Sequence, residues 1–175
     1  MKPRIEILRG DITKISADCI VNAANSSLMG GGGVDGAIHR AAGPMLLEEC
    51  KKIRREQYPN GLPVGRAVAT KSYGLAKNGV KYIIHTVGPR AWRDNIELLK
   101  DCYINSLMLA EQLGCKSIVF PAISTGAYGV SIKDSARIVK SVLKNYESRI
   151  IERIILILWS EKDYEIYKKE LGDLS

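Results

Sequence analysis

Four consecutive glycines, Gly30 to Gly33, followed by Val34-Asp35-Gly36, constrain this chain more than any other feature. Glycines lose more backbone freedom on folding than other residues and offer no side chain to pack, so a run of four makes sense only where bare backbone is needed. Glycine reaches positive φ and lets a ligand approach the main-chain amides, and a glycine run entering a helix points to an anion, most often phosphate. Asn22 and Asn25 precede the run and Asp35 follows it. The loop therefore carries carboxamides and a carboxylate as well as open backbone.

With 175 residues, 46% of them hydrophobic, the chain has the size of a single domain, residues 1–175, with one sizeable core. No apolar stretch approaches the roughly 20 residues a bilayer crossing requires. Met1-Lys2-Pro3-Arg4 leads into Ile5-Glu6-Ile7-Leu8, which alternates as a strand does instead of forming a signal-peptide core. The expectation is a soluble, cytoplasmic protein with no membrane partner. Cys19, Cys50, Cys102 and Cys115 are scattered without a Cys-x-x-Cys pair, in stretches that read as strand or helix, so buried thiols are expected. With only His39 and His85 to add, nothing has the spacing of a metal site.

The formal charge of +7 is unevenly spread. Between Lys51 and Arg93 ten basic residues face one acid, Glu56, so this segment exceeds the whole chain's surplus. Such a region attracts polyanions in general, giving weak nonspecific nucleic-acid binding, and steers a pyrophosphate. A merely solvated surface is the plain alternative.

Short apolar runs alternate with longer amphipathic ones. Strands are predicted over 4–8, 19–23, 65–72, 81–87, 117–120 and 153–159. Helices are predicted over 36–55, with Pro44 breaking or kinking it, and over 94–113, 131–144 and 163–171. Ile96, Leu99, Tyr103, Leu107 and Ala110 recur at steps of three and four, an apolar stripe facing a core. Gly114 has the position of a C-terminal cap, and Ser131-Ile132-Lys133-Asp134 has the spacing of a capping box. The fold class that follows is α/β, with a mixed sheet between helices.

Two strand-to-helix loops carry the chemistry: Asn22-Ala23-Ala24-Asn25 through Gly33, and Pro121-Ala122-Ile123-Ser124-Thr125-Gly126-Ala127-Tyr128-Gly129. In an open α/β sheet ligands sit beyond the carboxyl ends of strands, so two such loops suit one pyrophosphate. Gly31-x-Gly33-x-x-Gly36 formally matches the dinucleotide fingerprint, but Ser26 to Met29 intervene where that motif has a tight turn. No P-loop pattern occurs. Asp35 suits either a helix cap or the positioning of a water, and Asn22 and Asn25 either tie the loop to itself or orient a sugar hydroxyl. Tyr128 either covers a ligand ring or packs on its neighbours. His85, in Tyr82-Ile83-Ile84-His85-Thr86-Val87, reads as a satisfied core histidine, and His39 as structural.

Together Gly10-Asp11-Ile12-Thr13, Asn22-Ala23-Ala24-Asn25, the run from Gly30 to His39, Ile84-His85-Thr86-Val87-Gly88-Pro89 and the loop 121–129 resemble the macrodomains, in particular the hydrolytic MacroD type, in order and over nearly the whole chain. The resemblance implies a three-layer α/β/α sandwich with a central mixed sheet that binds ADP-ribose without a cofactor. Asp11 would accept from the adenine amino group, with Ile12 beside it. Asn22, Gly31, Gly32, Gly33 and Val34 on one loop, and Ser124, Thr125, Gly126 and Ala127 on the other, would line the cleft and hold the diphosphate. Tyr128 would lie against the distal ribose and Trp159 near adenine. Asn25 and Asp35 match the residues associated with hydrolysis. Implied substrates are O-acetyl-ADP-ribose and proteins carrying mono-ADP-ribose on aspartate or glutamate, with no metal; the alternatives are a non-catalytic ADP-ribose reader or, from the charge surplus between Lys51 and Arg93, a nucleic-acid-binding protein. Trp159-Ser160 departs from the more usual Phe or Tyr followed by Asp.

Overall fold

The computed structural model describes residues 1–175. Its strands are β1 (Arg4–Arg9), β2 (Cys19–Ala24), β3 (Ala67–Lys71), β4 (Tyr82–Val87), β5 (Ser117–Phe120) and β6 (Arg153–Leu158). Its helices are α1 (Gly33–Ala42), α2 (Pro44–Glu56), α3 (Leu99–Gln112), α4 (Ile132–Leu143) and α5 (Glu161–Leu171). The sheet runs in the order β1-β6-β5-β2-β4-β3; β3 is antiparallel to its neighbour and every other pairing is parallel.

Because successive side chains leave a strand on opposite faces, each central strand feeds two cores. From β2, Ile20 and Ala24 join Ile38, Leu46 and Ile53 of α1 and α2 on one face, while Cys19 and Val21 join Leu99, Tyr103 and Val139 of α3 and α4 on the other. Tyr167 and Leu171 of α5 complete the second core. This is the expected three-layer α/β/α arrangement. No helix is long and apolar enough to cross a membrane.

The predicted helix over 36–55 is two helices. Gly43, at φ 89°, separates them, donating its N–H to His39 O, and Pro44 opens α2, where its missing N–H leaves no bond unmade. α1 begins at Gly33, three residues ahead of the expected start, which places Asp35 inside the first turn. Before α3, Ile96–Leu98 form a 3₁₀ turn whose N-cap, Asn95, accepts from Glu97 N. Ser131 caps α4 by accepting from Asp134 N, as the sequence predicted. Gly114, at φ 74°, follows α3 and donates to Glu111 O.

The expectation of four buried thiols is corrected. Cys19 and Cys115 form a disulfide, with Cα atoms 6.3 Å apart. Cys19 opens β2 opposite Ile118 of β5, and Cys115 lies just before β5, so parallel pairing brings together two residues 96 apart in sequence. Cys50 and Cys102 are free and buried, and burial pushes their thiols up to about 12 and about 11.

Phe120, fully buried at the end of β5, packs against the Tyr103 ring with centroids 4.6 Å apart, joining sheet to α3 at the strand end that supports the loop 121–129. Phe120→Ala is expected to destabilise the fold by about 3–5 kcal/mol, read from urea unfolding as a lower midpoint at unchanged slope.

Candidate active site

Five of the six strands run in parallel, so their carboxyl ends share one edge of the sheet. Along that edge lie Asp11 after β1, Trp159 after β6, the loop 121–129 after β5, the glycine loop after β2, and Gly88-Pro89 after β4. β5 and β2 are neighbours, yet β5 continues into α4 on one face and β2 into α1 on the other. Strands whose connections part in this way open a crevice between them, the usual ligand position in such sheets.

The β2 loop forms one wall. Asn25 binds it together: Nδ2 donates to Gly30 O at 3.0 Å, and Oδ1 accepts from Ser27 Oγ at 2.6 Å. Gly31 lies between the two residues singled out for hydrolysis, since a Cβ there would sit 3.5 Å from Asn25 Nδ2 and 3.4 Å from Asp35 Oδ2. Gly36 must be glycine for closeness, because a Cβ would stand 2.5 Å from Gly31 O. The amides of Gly31, Gly32, Gly33, Val34 and Asp35 donate no hydrogen bond within the chain, and those of the first helical turn carry the positive end of the α1 dipole.

Asp35 does not cap α1. Gly32 holds the cap position, and the Asp35 side chain turns inward to a buried polar chain. Asn22 Nδ2 donates to Asp35 Oδ1 at 2.8 Å and also lies 3.1 Å from His85 Nδ1; His85 Nε2 lies 3.0 Å from Thr70 Oγ1. An amide nitrogen only donates, so His85 Nδ1 is the acceptor, the ring proton is on Nε2, and Nε2 donates to Thr70. The imidazole is neutral, since burial, helped by nearby His39, pushes its pKa down to about 3. His85 is thus the satisfied core histidine the sequence predicted. Burial raises the Asp35 carboxyl above its ordinary value, opposed by the Asn22 hydrogen bond and by His39.

The β4 and β5 loops join as the opposite wall. A Cβ on Gly88 would overlap Ser124 Oγ, and Ala91 N donates to Tyr128 O at 2.8 Å. Ser124 adopts φ 69°, a strained region for a residue with a side chain, and its buried hydroxyl has no partner. The amides of Ser124, Gly126, Ala127 and Tyr128 donate to nothing within the chain, whereas Thr125 N turns back to Ala122 O. Tyr128 packs on a neighbour, the Trp92 ring. Further along, Asp11 Oδ1 accepts from Thr13 N and Oγ1, and the hydroxyl bond chiefly holds its carboxyl below the ordinary value. Ile12 is buried in the core beneath α1 and α2, and Trp159 is 77% exposed.

The structure thus gathers the expected residues at one edge, although Ile12 turns its side chain into the core. His39 was read only as structural; its Nε2 lies 3.4 Å from Asp35 Oδ1. The spacing Asp35-x-x-x-His39 on a helix was the available signal, since residues four apart share a face. Trp92 gave no signal, because its partner Tyr128 is distant in sequence. Two cavities of about 210 and about 480 Å³ lie elsewhere, one among the chain termini and the ends of β1 and α4, the other between α3 and α4.

The Macro domain family model matches residues 21–139. The chain is a macrodomain. An O-acetyl-ADP-ribose deacetylase of Escherichia fergusonii is 50% identical over 177 residues, covering 98% of this chain and 97% of that protein. A macro domain-containing protein of Methanosarcina mazei is 48% identical over 177 residues, covering 98% and 89%. Among solved structures, the Oceanobacillus iheyensis macrodomain with ADP superposes with a TM-score of 0.90 at 44% identity, covering 97% of this chain and 90% of that one. The Trypanosoma brucei macrodomain in complex with ADP-ribose gives 0.86 at 37% identity, covering 97% and 69%.

The macrodomain carries a stability penalty at Asp35. A carboxyl whose pKa is raised in the folded state binds its proton more tightly there, so its contribution is most favourable below the unfolded value and is lost as pH rises through the folded one. Asp35→Asn keeps an acceptor for Asn22 and removes the buried charge. Its melting temperature is expected to exceed that of the parent at pH 7, by about 2–4 °C for each kcal/mol relieved, and to converge with it near pH ~3, as followed by thermal unfolding across pH.

Proposed function

We propose that this macrodomain is a hydrolase of ADP-ribosyl esters, deacetylating O-acetyl-ADP-ribose and releasing mono-ADP-ribose from aspartate and glutamate side chains of proteins. The observation that carries the reading is a buried carboxylate, Asp35, set directly behind a glycine loop whose amides are free. Free amides from two loops on neighbouring strands suit a diphosphate, whose two phosphate groups can accept from one loop each and so bridge them. The relative named as a deacetylase and the neighbours solved with ADP and ADP-ribose agree with it.

In this reading the diphosphate rests between the amides of Gly31 to Val34 and those of Ser124, Gly126, Ala127 and Tyr128, and adenine lies toward Asp11 and Trp159. Asp11 Oδ2, free of internal hydrogen bonds, accepts from the adenine amino group. The distal ribose then falls near Gly31, between Asn25 and Asp35. Asn25, already fixed through Gly30 and Ser27, has one N–H left to orient a ribose hydroxyl. Asp35 Oδ2 orients a water and takes its proton as the water oxygen bonds to the acyl carbon; the acyl–oxygen bond then breaks, and the proton passes from Asp35 to the departing ribose oxygen, which leaves as a hydroxyl. A carboxylate with a raised pKa is the stronger base, and the Asn22–His85–Thr70 chain holds it in one orientation.

The test pairs O-acetyl-ADP-ribose and a glutamate-linked mono-ADP-ribosylated protein as substrates with calorimetric titration of ADP-ribose. Asp35→Ala is expected to lower release from both by about 10²–10⁴-fold while ADP-ribose still binds. Binding by the parent protein with no turnover of either ester would leave a non-catalytic reader.

The acid limb of the turnover profile provides a second check. Turnover falls as pH drops through the Asp35 pKa, and the Asn22 hydrogen bond lowers that pKa. Asn22→Ala is therefore expected to move the acid limb to higher pH, measured as kcat against pH.

A further inference from the structure

Large exposed aromatic side chains on this chain are few, and two of them stand on the carboxyl edge of the sheet: Trp159 after β6 and Trp92 after β4, 77% and 68% exposed. The strand order β1-β6-β5-β2-β4-β3 separates them, with β5 and β2 between their strands. With adenine toward Asp11 and Trp159, the dinucleotide-like ligand runs across β5 to the end of β2, and whatever is esterified to the distal ribose leaves toward β4. Trp92 stands on that side, after β4.

The tryptophan is not a loosely hanging side chain. Its ring stands edge-on to Tyr128, with centroids 6.4 Å apart and planes at 86°, and the main chain beside it is tied by Ala91 N to Tyr128 O. The turn that carries it is closed by Asp94, whose carboxylate accepts from Arg90 N and Nε. Held this way, the ring presents broad apolar surface to solvent at little conformational cost on binding, the property that makes tryptophan an effective anchor for polypeptide. Arg93, next to it, is exposed and available to acidic side chains flanking a modified residue.

We propose that Trp92, with Arg93, forms a recognition wall for the polypeptide segment around an ADP-ribosylated aspartate or glutamate, and so discriminates protein esters from the small acetyl ester. The inference rests on the reading above that an ADP-ribosyl ester occupies this edge. An acetyl group is too small to span from the ribose to an outward-facing indole, whereas a peptide continues past it. Trp92 is thus a specificity determinant and takes no part in bond breaking.

The experiment compares the parent protein, Trp92→Ala and Trp92→Phe by three readouts: calorimetric affinity for ADP-ribose, kinetics on O-acetyl-ADP-ribose, and kinetics on a glutamate-linked mono-ADP-ribosylated peptide. Affinity for the same peptide is also measured in the Asp35→Asn background, so that recognition is read without turnover. Trp92→Ala is expected to raise KM for the peptide ester about tenfold at little-changed kcat, a loss of ~1.4 kcal/mol of binding, with the matching loss in the Asp35→Asn background. ADP-ribose affinity and the acetyl ester are expected to change by less than about threefold, and Trp92→Phe to recover most of the difference. An equal loss on both esters, a parallel loss of ADP-ribose affinity, or no change with the peptide would each overturn the proposal. Peptide affinity that depends on Trp92 in a protein with no turnover would sustain it while refuting the hydrolase reading.

Discussion

Parallel hydrogen bonding of β2 to both β4 and β5 is the constraint on which the rest of this molecule depends. In register, Asn22 sits opposite His85 and Cys19 opposite Ile118, so the carboxyl ends of three adjacent strands reach the same edge. An antiparallel neighbour on either side would have sent one of the loops to the far end of the sheet. The order also decides where a crevice belongs: β2 passes to the α1 face and β5 to the α4 face, which makes the space beyond their carboxyl ends the switch point of the sheet.

The same pairing explains how a carboxylate is kept in a place where water would otherwise be expected to neutralise its effect. Asn22, His85 and Thr70 point from β2, β4 and β3 to the face covered by α1, within an otherwise apolar layer. With Asp35 ionised and the Asn22 amide nitrogen toward it, the donors and acceptors fix one tautomer of His85. Asn22 Oδ1 is left buried without a partner, as is Ser124 Oγ on the other wall. Such groups lower stability, and both lie beside the loops that face the crevice.

Much of this was legible in the sequence, for identifiable reasons. Strand β5 was predicted at its observed limits, and β1, β2 and β6 to within a residue at one end, because buried strands read as short runs of Val and Ile bounded by polar or turn residues. Glycines and asparagines marked the β2 loop because only such residues suit open backbone. Helix starts were less legible: α1 begins at Gly33, where propensity argues against a helix, and the close approach of Gly36 to Gly31 O is a contact that no local pattern announces. Pairings between distant residues were illegible altogether. The Cys19–Cys115 bond, the placement of Asn22 opposite His85 and the Trp92–Tyr128 contact all follow from strand order, which no local pattern encodes.

The two walls of the crevice differ in kind. The β2 wall holds its functional groups from behind: Asp35 is buried, Asn25 is bound at both ends, and the backbone of Gly31, Gly32 and Gly33 is exposed. The wall made by the β4 and β5 loops is held at its base by Gly88 against Ser124 and ends in outward-facing aromatic surface. Groups that must keep one geometry to within fractions of an ångström gain from the first arrangement, because packing fixes them before ligand arrives. Groups that meet varied polypeptide gain from the second, since an exposed ring accepts many neighbours. On the proposed hydrolase reading, a substitution behind the β2 wall would alter chemistry for every substrate alike, whereas one at the outer rim would alter the choice among substrates. The division follows from β2 entering its helix at the last glycine of the run, while β4 reaches α3 only after the turn that carries Trp92.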